Sequence, residues 1–162
     1  MKVTVTGPSL DEITKNVSYQ IQHQMANRSY RAANELRNSA LIVLRGQRSG
    51  RRYKVPGTYR RQRDKVSGKM KNGRYYTASA PGEPPAVRTG TFRNSWQATA
   101  RGPIFGSYIS RIESDATTDN GQHNLGEILE NGTSRMAPRP YKDRILDHAE
   151  RKIVKIYSEP YF

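Results

Sequence analysis

The sequence predicts an α+β fold: a long N-terminal helix and a C-terminal helix packed on a small antiparallel β-sheet, with one long basic loop. Three observations predict it. Apolar residues recur at helical spacing from Leu10 to Leu44 and again from Tyr141 to Ile156, and they alternate with polar residues between Trp96 and Ile112. Twelve of the 28 Lys and Arg fall between Arg45 and Arg74.

The first helix has a clear start. Ser9-Leu10-Asp11-Glu12 carries capping-box spacing, with Ser9 as N-cap and Glu12 reaching back. Apolar residues follow at 10, 13, 17, 21, 25, then 32 or 33, 36, 40 and 43, with one break near Arg28-Ser29. A straight helix from Leu10 to Leu44 would be ~52 Å long at ~1.5 Å per residue, whereas a compact chain of this size has a radius of gyration of ~15 Å. The helix therefore either kinks near Ser29, or projects from the body and completes its burial on a neighbouring subunit. Before it, Val3 and Val5 alternate with polar residues up to Gly7-Pro8, the pattern of a short half-buried strand.

The segment 45–80 keeps no period and holds five glycines between Gly46 and Gly73, so it reads as a projecting loop with at most a weak hairpin. Ala80-Pro81-Gly82-Glu83-Pro84-Pro85 is a stiff turn and polyproline stretch. Thr89 is placed to cap a helical turn through Asn94. Trp96, Ala98 and Ala100 run to a turn at Gly102-Pro103, and Ile104, Tyr108 and Ile112 form a second alternating face: two antiparallel strands of a meander. A short helix from about His123 to Glu130 ends on Asn131-Gly132. Pro140 opens the last helix, whose apolar stripe is Tyr141, Ile145, Ala149, Ile153 and Ile156.

Composition bounds what this chain does. Its 162 residues suit a single domain, 1–162, from which 45–80 projects. The apolar fraction of 34% lies below the ~45–50% usual for soluble domains, so part of the chain is loop or orders only against partners. Without cysteine there are no disulfides or thiolate metal sites. No signal peptide or membrane span is legible, which implies assembly in a cytoplasm and no membrane partner. No catalytic set stands out either. His23, His123 and His148 share no ligand spacing, and Asp143 and Asp147 lie among Lys142, Arg144 and Arg151 on what reads as a solvated face. The expectation is a protein that is not an enzyme and uses no cofactor or metal.

The formal charge of +14 is unevenly spread. Between Arg45 and Arg74, twelve basic residues face only Asp64, a net of +11; the remaining sixteen basic and thirteen acidic residues leave +3. A local excess of this kind argues for a charged loop rather than a generally basic fold. Its members are Arg45, Arg48, Arg51, Arg52, Lys54, Arg60, Arg61, Arg63, Lys65, Lys69, Lys71 and Arg74, interleaved with Tyr53 and Tyr59. That composition suits phosphate contact with base stacking, and equally an acidic surface on a partner protein.

Two stretches carry a recognisable pattern. One is Ser79-Ala80-Pro81-Gly82-Glu83-Pro84-Pro85 followed by Arg88-Thr89-Gly90-Thr91-Phe92-Arg93-Asn94-Ser95-Trp96; the other is Leu129-Glu130-Asn131-Gly132-Thr133 leading to Met136-Ala137-Pro138-Arg139-Pro140-Tyr141. In order and spacing they resemble the tail-completion, or head–tail joining, family of long-tailed bacteriophages. That family shares Pro-Gly-x-Pro-Pro, Thr-Gly-x-Leu-x-x-Ser, and Glu-x-Gly-Thr before Ala-Arg-Pro-Phe. Phe92 stands here where the family has Leu, Tyr141 where it has Phe, and Pro138-Arg139 departs from the commonest wording. The motifs cover roughly a third of the chain, and Arg45–Arg74 is its least family-like part.

The resemblance implies a structural virion protein of the phage neck that completes the tail and joins it to the head connector. As a ring, sixfold or alternatively twelvefold, it would contact connector or stopper proteins, tail terminator or tube proteins, and the DNA passing through. Physically, Pro81, Pro84 and Pro85 stiffen the backbone before docking, Gly90 and Gly132 permit tight turns, and Arg139 between prolines is set to fork onto a carboxylate. The same motifs would serve equally to hold the subunit's own fold. The competing class is a basic nucleic-acid-binding protein acting outside the virion.

Overall fold

The computed structural model describes residues 7–55, 66–68, 73–104, 107–118 and 120–161. The strand expected at Val3 and Val5 lies outside them. The architecture is α+β. In chain order the elements are α1 (Leu10–Arg45), β1 (Arg52–Lys54), β2 (Tyr75–Thr77), α2 (Thr91–Asn94), β3 (Trp96–Ile104), β4 (Ser107–Ser114), α3 (Leu125–Asn131) and α4 (Lys142–Tyr157). The strands form two separate antiparallel pairs, β1–β2 and β3–β4.

The α1 helix starts as its sequence requires. Ser9 Oγ accepts from the Glu12 amide at 3.2 Å, and the Glu12 carboxylate accepts from the Ser9 amide at 3.1 Å. It then runs unbroken for 36 residues, about 54 Å at ~1.5 Å per residue. Arg28 and Ser29 do not interrupt it; both are buried, because polar partners replace apolar ones at that point. Arg28 donates to the carbonyl of Pro160 at 2.7 Å and lies over the Tyr161 ring at 3.9 Å, strapping the C-terminal tail to the helix. The Arg31–Glu159 ion pair, at 2.6 and 2.7 Å, adds to the strap. Ser29 Oγ meets Ser110 Oγ of β4 at 3.0 Å.

The C-terminal half of α1 packs on α4 and on the β3–β4 pair. Ala32, Ala33 and Ala40 are fully buried there, since small side chains let backbones approach closely. The N-terminal half has no such cover: residues 10–20 are all exposed.

In the β3–β4 pair, Trp96, Ala98 and Ala100 stand opposite Ser114, Ile112 and Ser110. Along β4 exposed and half-buried residues alternate strictly, with Tyr108 and Ile112 on the inner face. The turn is not at Gly102-Pro103 as the sequence suggests. Both residues lie inside β3, where the register shifts between Arg101 and Ile104, and Ile104 pairs with Ser107. The Tyr108 ring covers Gly102 so closely that an added Cβ would come within 2.6 Å of it, and Pro103 has no N–H for the ladder. These two residues make a bulge, and the chain reverses after it.

The expected loop 45–80 contains a hairpin. Arg52, Tyr53 and Lys54 pair with Thr77, Tyr76 and Tyr75, and bonds from the Gly50 amide to Ala78 and from the Val55 amide to Arg74 extend the ladder. In α3, Asn124 caps the N-terminus and Gly132 ends the helix at φ 75°. The last helix opens two residues later than Pro140 suggests, at Lys142 with Tyr141 as N-cap, where the Glu130 carboxylate gathers the Tyr141 and Lys142 amides at 3.0 and 3.4 Å. Its buried stripe is Tyr141, Ile145, Ala149 and Ile156, with Ile153 half-buried. The core joins Ala40 and Leu44 of α1 to Trp96, Tyr141 and Ile145. Among the described residues no helix is long and apolar enough to cross a membrane.

Candidate assembly site at the junction of the two motifs

The two sequence motifs, some fifty residues apart, meet in space. The Arg139 guanidinium donates to the Ser79 carbonyl at 2.6 Å and also bonds the Ser79 hydroxyl. The Gly82 amide donates to the Pro138 carbonyl at 3.2 Å, and Arg144 donates to the Gly82 carbonyl at 3.0 Å. The fork expected of Arg139 on a carboxylate does not form; the single nitrogen Nη1 makes both bonds, to a backbone carbonyl and a hydroxyl of its own chain.

Aromatic residues lock the same junction. Phe92, Trp96 and Tyr141 meet edge to face, with ring centroids 5.5–5.9 Å apart. The Tyr141 hydroxyl donates to the Gly126 carbonyl at 3.1 Å. Burial, with help from the nearby Glu130 and Glu127 carboxylates, pushes this phenol up to about 12. An added Cβ on Gly132 would come within 2.6 Å of the Met136 carbonyl, and its φ of 75° disfavours any side chain, so that position has two independent reasons to be glycine.

A carboxylate that sequence reasoning did not single out ties the stiff segment to the hairpin. Glu83 accepts from the Ser49 hydroxyl at 2.6 Å, the Ala80 amide at 2.9 Å and the Ser49 amide at 3.1 Å. These bonds, the Ser49 hydroxyl foremost, bring Glu83 down to about 2. Nothing in Gly82-Glu83-Pro84 signals this, because two of its three donors lie 34 residues upstream.

The remaining motif residues divide by exposure. Pro84, Pro85 and Gly90 are buried, whereas Pro81, Gly82 and Thr133 are exposed and Pro140 is half-buried. Thr89 is not the N-cap of α2, which is Gly90 without a side-chain cap bond, although its hydroxyl accepts from the Thr91 amide at 3.3 Å. Ser95 Oγ bonds Ser114 Oγ at 2.6 Å, fastening α2 to β4.

The basic-loop residues are not equivalent. Arg48 turns inward, donating to the carbonyls of Val43 at 2.8 Å and Pro85 at 3.1 Å, and burial lowers its pKa. Arg45, Arg51, Arg52, Tyr53, Lys54 and Arg74 are exposed. Arg52 lies over the Tyr75 ring at 4.5 Å and Arg51 over the Tyr53 ring at 5.7 Å, while Tyr53 stacks on Tyr76. Tyr59, Arg60, Arg61, Arg63, Lys65, Lys69 and Lys71 lie outside the described residues.

Beside the junction runs a half-open groove of about 510 Å³. Val87, Phe92, Leu125, Leu129 and Met136 give it apolar lining, and Arg88, Arg93 and Arg139 also border it. The histidines are employed separately, His23 stacking on Tyr19 and His148 bonding Ser39. Among the described residues no three His, Cys, Asp or Glu side chains converge as metal ligands. No family model matches the chain, nor does any curated protein or solved structure.

Proposed function

We propose that this chain is a structural virion subunit of a tailed-phage neck, assembling as a ring that completes the tail and joins it to the head connector. The observation that carries this reading is the uncovered half of α1. Leu10, Ile13 and Val17 line one helical face and are 78, 44 and 39% exposed. The packed half of α1 holds this stretch helical while leaving its apolar face uncovered. Its apolar face suits a neighbouring subunit, and one such heterologous contact repeated about an axis closes a ring. The rigid junction of the two motifs supports the reading, because a subunit that transmits contact between head and tail needs a stiff body. Sixfold symmetry is favoured over twelvefold from the resemblance.

The test is genetic and compositional. Disrupting the gene should leave filled heads and separate tails, and a mass-spectrometric census of purified virions should find the protein in stoichiometric amount. Normal infectious particles from the mutant would sink the proposal.

The exposed Arg51, Arg52, Tyr53 and Tyr75 favour a second reading, contact with nucleic acid through the β1–β2 hairpin. Retention on DNA that falls steeply between roughly 50 and 200 mM salt, and falls again on replacing both arginines with serine, would support it.

A further inference from the structure

We infer that the groove beside the motif junction is a docking site for an extended partner segment that alternates apolar and acidic side chains. The inference stands on the groove alone and does not need the neck reading. Its inner surface comes from stretches far apart in sequence, among them Tyr76 to Ser79, Val87 to Arg93, Leu125 with Leu129, and Met136. Phe92, Leu125, Leu129 and Met136 are only half-buried, so the fold leaves them apolar surface to cover.

Charge selects the occupant. Three arginines border the groove, and among the described residues no aspartate or glutamate lines it. Arg139 is engaged with Ser79, but Arg88 is exposed and makes no hydrogen bond or ion pair among the described residues. Among the described residues Arg93 is held only through its Nε, by the Asn94 side chain at 3.3 Å, which leaves its terminal amines for a ligand. Guanidinium groups beside an apolar floor recognise carboxylates adjacent to aliphatic side chains. Nucleic acid is disfavoured at this place: the floor is largely aliphatic, and the two aromatic rings that line it are already engaged, Phe92 against Trp96 and Tyr141 and Tyr76 against Tyr53. The half-open form admits a chain that passes through, presenting alternate side chains to the floor and to the rim.

The experiment uses the full chain and a short fluorescein-labelled peptide of alternating aspartate and leucine that also carries a benzophenone. Fluorescence anisotropy should show binding. Arg88→Ser with Arg93→Ser should weaken it at least about tenfold, as loss of charge-assisted contacts does. The asparagine version of the peptide should bind the native chain as weakly, whereas Arg51→Ser with Arg52→Ser should leave binding unchanged. Photocrosslinks should map to Met136 or Leu129. Equal binding by the Arg88/Arg93 double variant, equal binding of the asparagine peptide, or crosslinks confined to β1 would each overturn the inference. Oligothymidylate that abolished the Met136 crosslink would assign the groove to nucleic acid, and that too would overturn it.

Discussion

The guanidinium of Arg139 is bonded to the carbonyl and hydroxyl oxygens of Ser79, 60 residues earlier, and so clips the second motif onto the start of the first. Arg139→Ala leaves that partly buried carbonyl without its donor. The expected cost is about 1.5–3 kcal/mol, the usual range for a hydrogen bond to a charged group. Arg139→Lys should recover part of it, because both bonds come from the single nitrogen Nη1 and an ammonium is also a single donor centre. Urea denaturation of the three proteins checks this, and an unchanged midpoint in Arg139→Ala would refute it.

Glu83 supplies a pH-dependent tie. Its carboxyl sits near 2 in the folded chain against an ordinary value of 4.5, so the fold favours the ionised form. The contribution is complete above about pH 4.5 and disappears as pH falls toward 2. Glu83→Gln should therefore be less stable than the native chain at neutral pH, with the gap closing across that window. Thermal melts at several pH values would show it; a gap independent of pH would count against the assignment.

Local patterns in the sequence disclosed the elements, whereas contacts between distant segments stayed hidden. Ser9 and Glu12 announce the start of α1 because a capping box is complete within four residues. Arg28-Ser29 looks like a break because their partners, Pro160 and Ser110, lie 132 and 81 residues away. The β1–β2 hairpin gives almost no signal, since each strand has three residues and neither buries a face. Both motifs were readable as strings, and Pro and Gly rightly indicated backbone constraint. That they clasp each other through Arg139, and leave a groove beside the clasp, depends on tertiary placement that no spacing encodes.

Tyr141 gives the opposite pH signature. Its phenol is raised to about 12 from an ordinary 10, so the fold favours the neutral form. That contribution is complete below pH 10 and is lost as pH rises through 12. At neutral pH, Tyr141→Phe should cost about 0.5–1.5 kcal/mol for the bond to the Gly126 carbonyl. Between pH 10 and 12 the variant should gain on the native chain. Parallel denaturation series decide the matter, and a constant difference across that range would contradict it.

The exposed face of α1 makes the sharpest separation between folding and assembly. Ile13 and Val17 are 44 and 39% exposed, so replacing both with Asp removes little burial from the isolated subunit. Both positions lie on the uncovered face and the packed half of α1 anchors the helix, so α1 should stay helical. Monomer stability is expected to shift by about 0.5 kcal/mol or less per site, as at other surface positions. In a ring the same carboxylates would be buried against a neighbour without partners, which is costly enough to block association. Leu44→Asp provides the contrast: Leu44 is 1% exposed in the core, and that variant should fail to fold. Circular dichroism with native mass spectrometry, run with the neck partners supplied, separates the cases. A folded, monomeric Ile13→Asp/Val17→Asp protein is the expected result, and rings formed as readily as by the native chain would remove α1 from the interface.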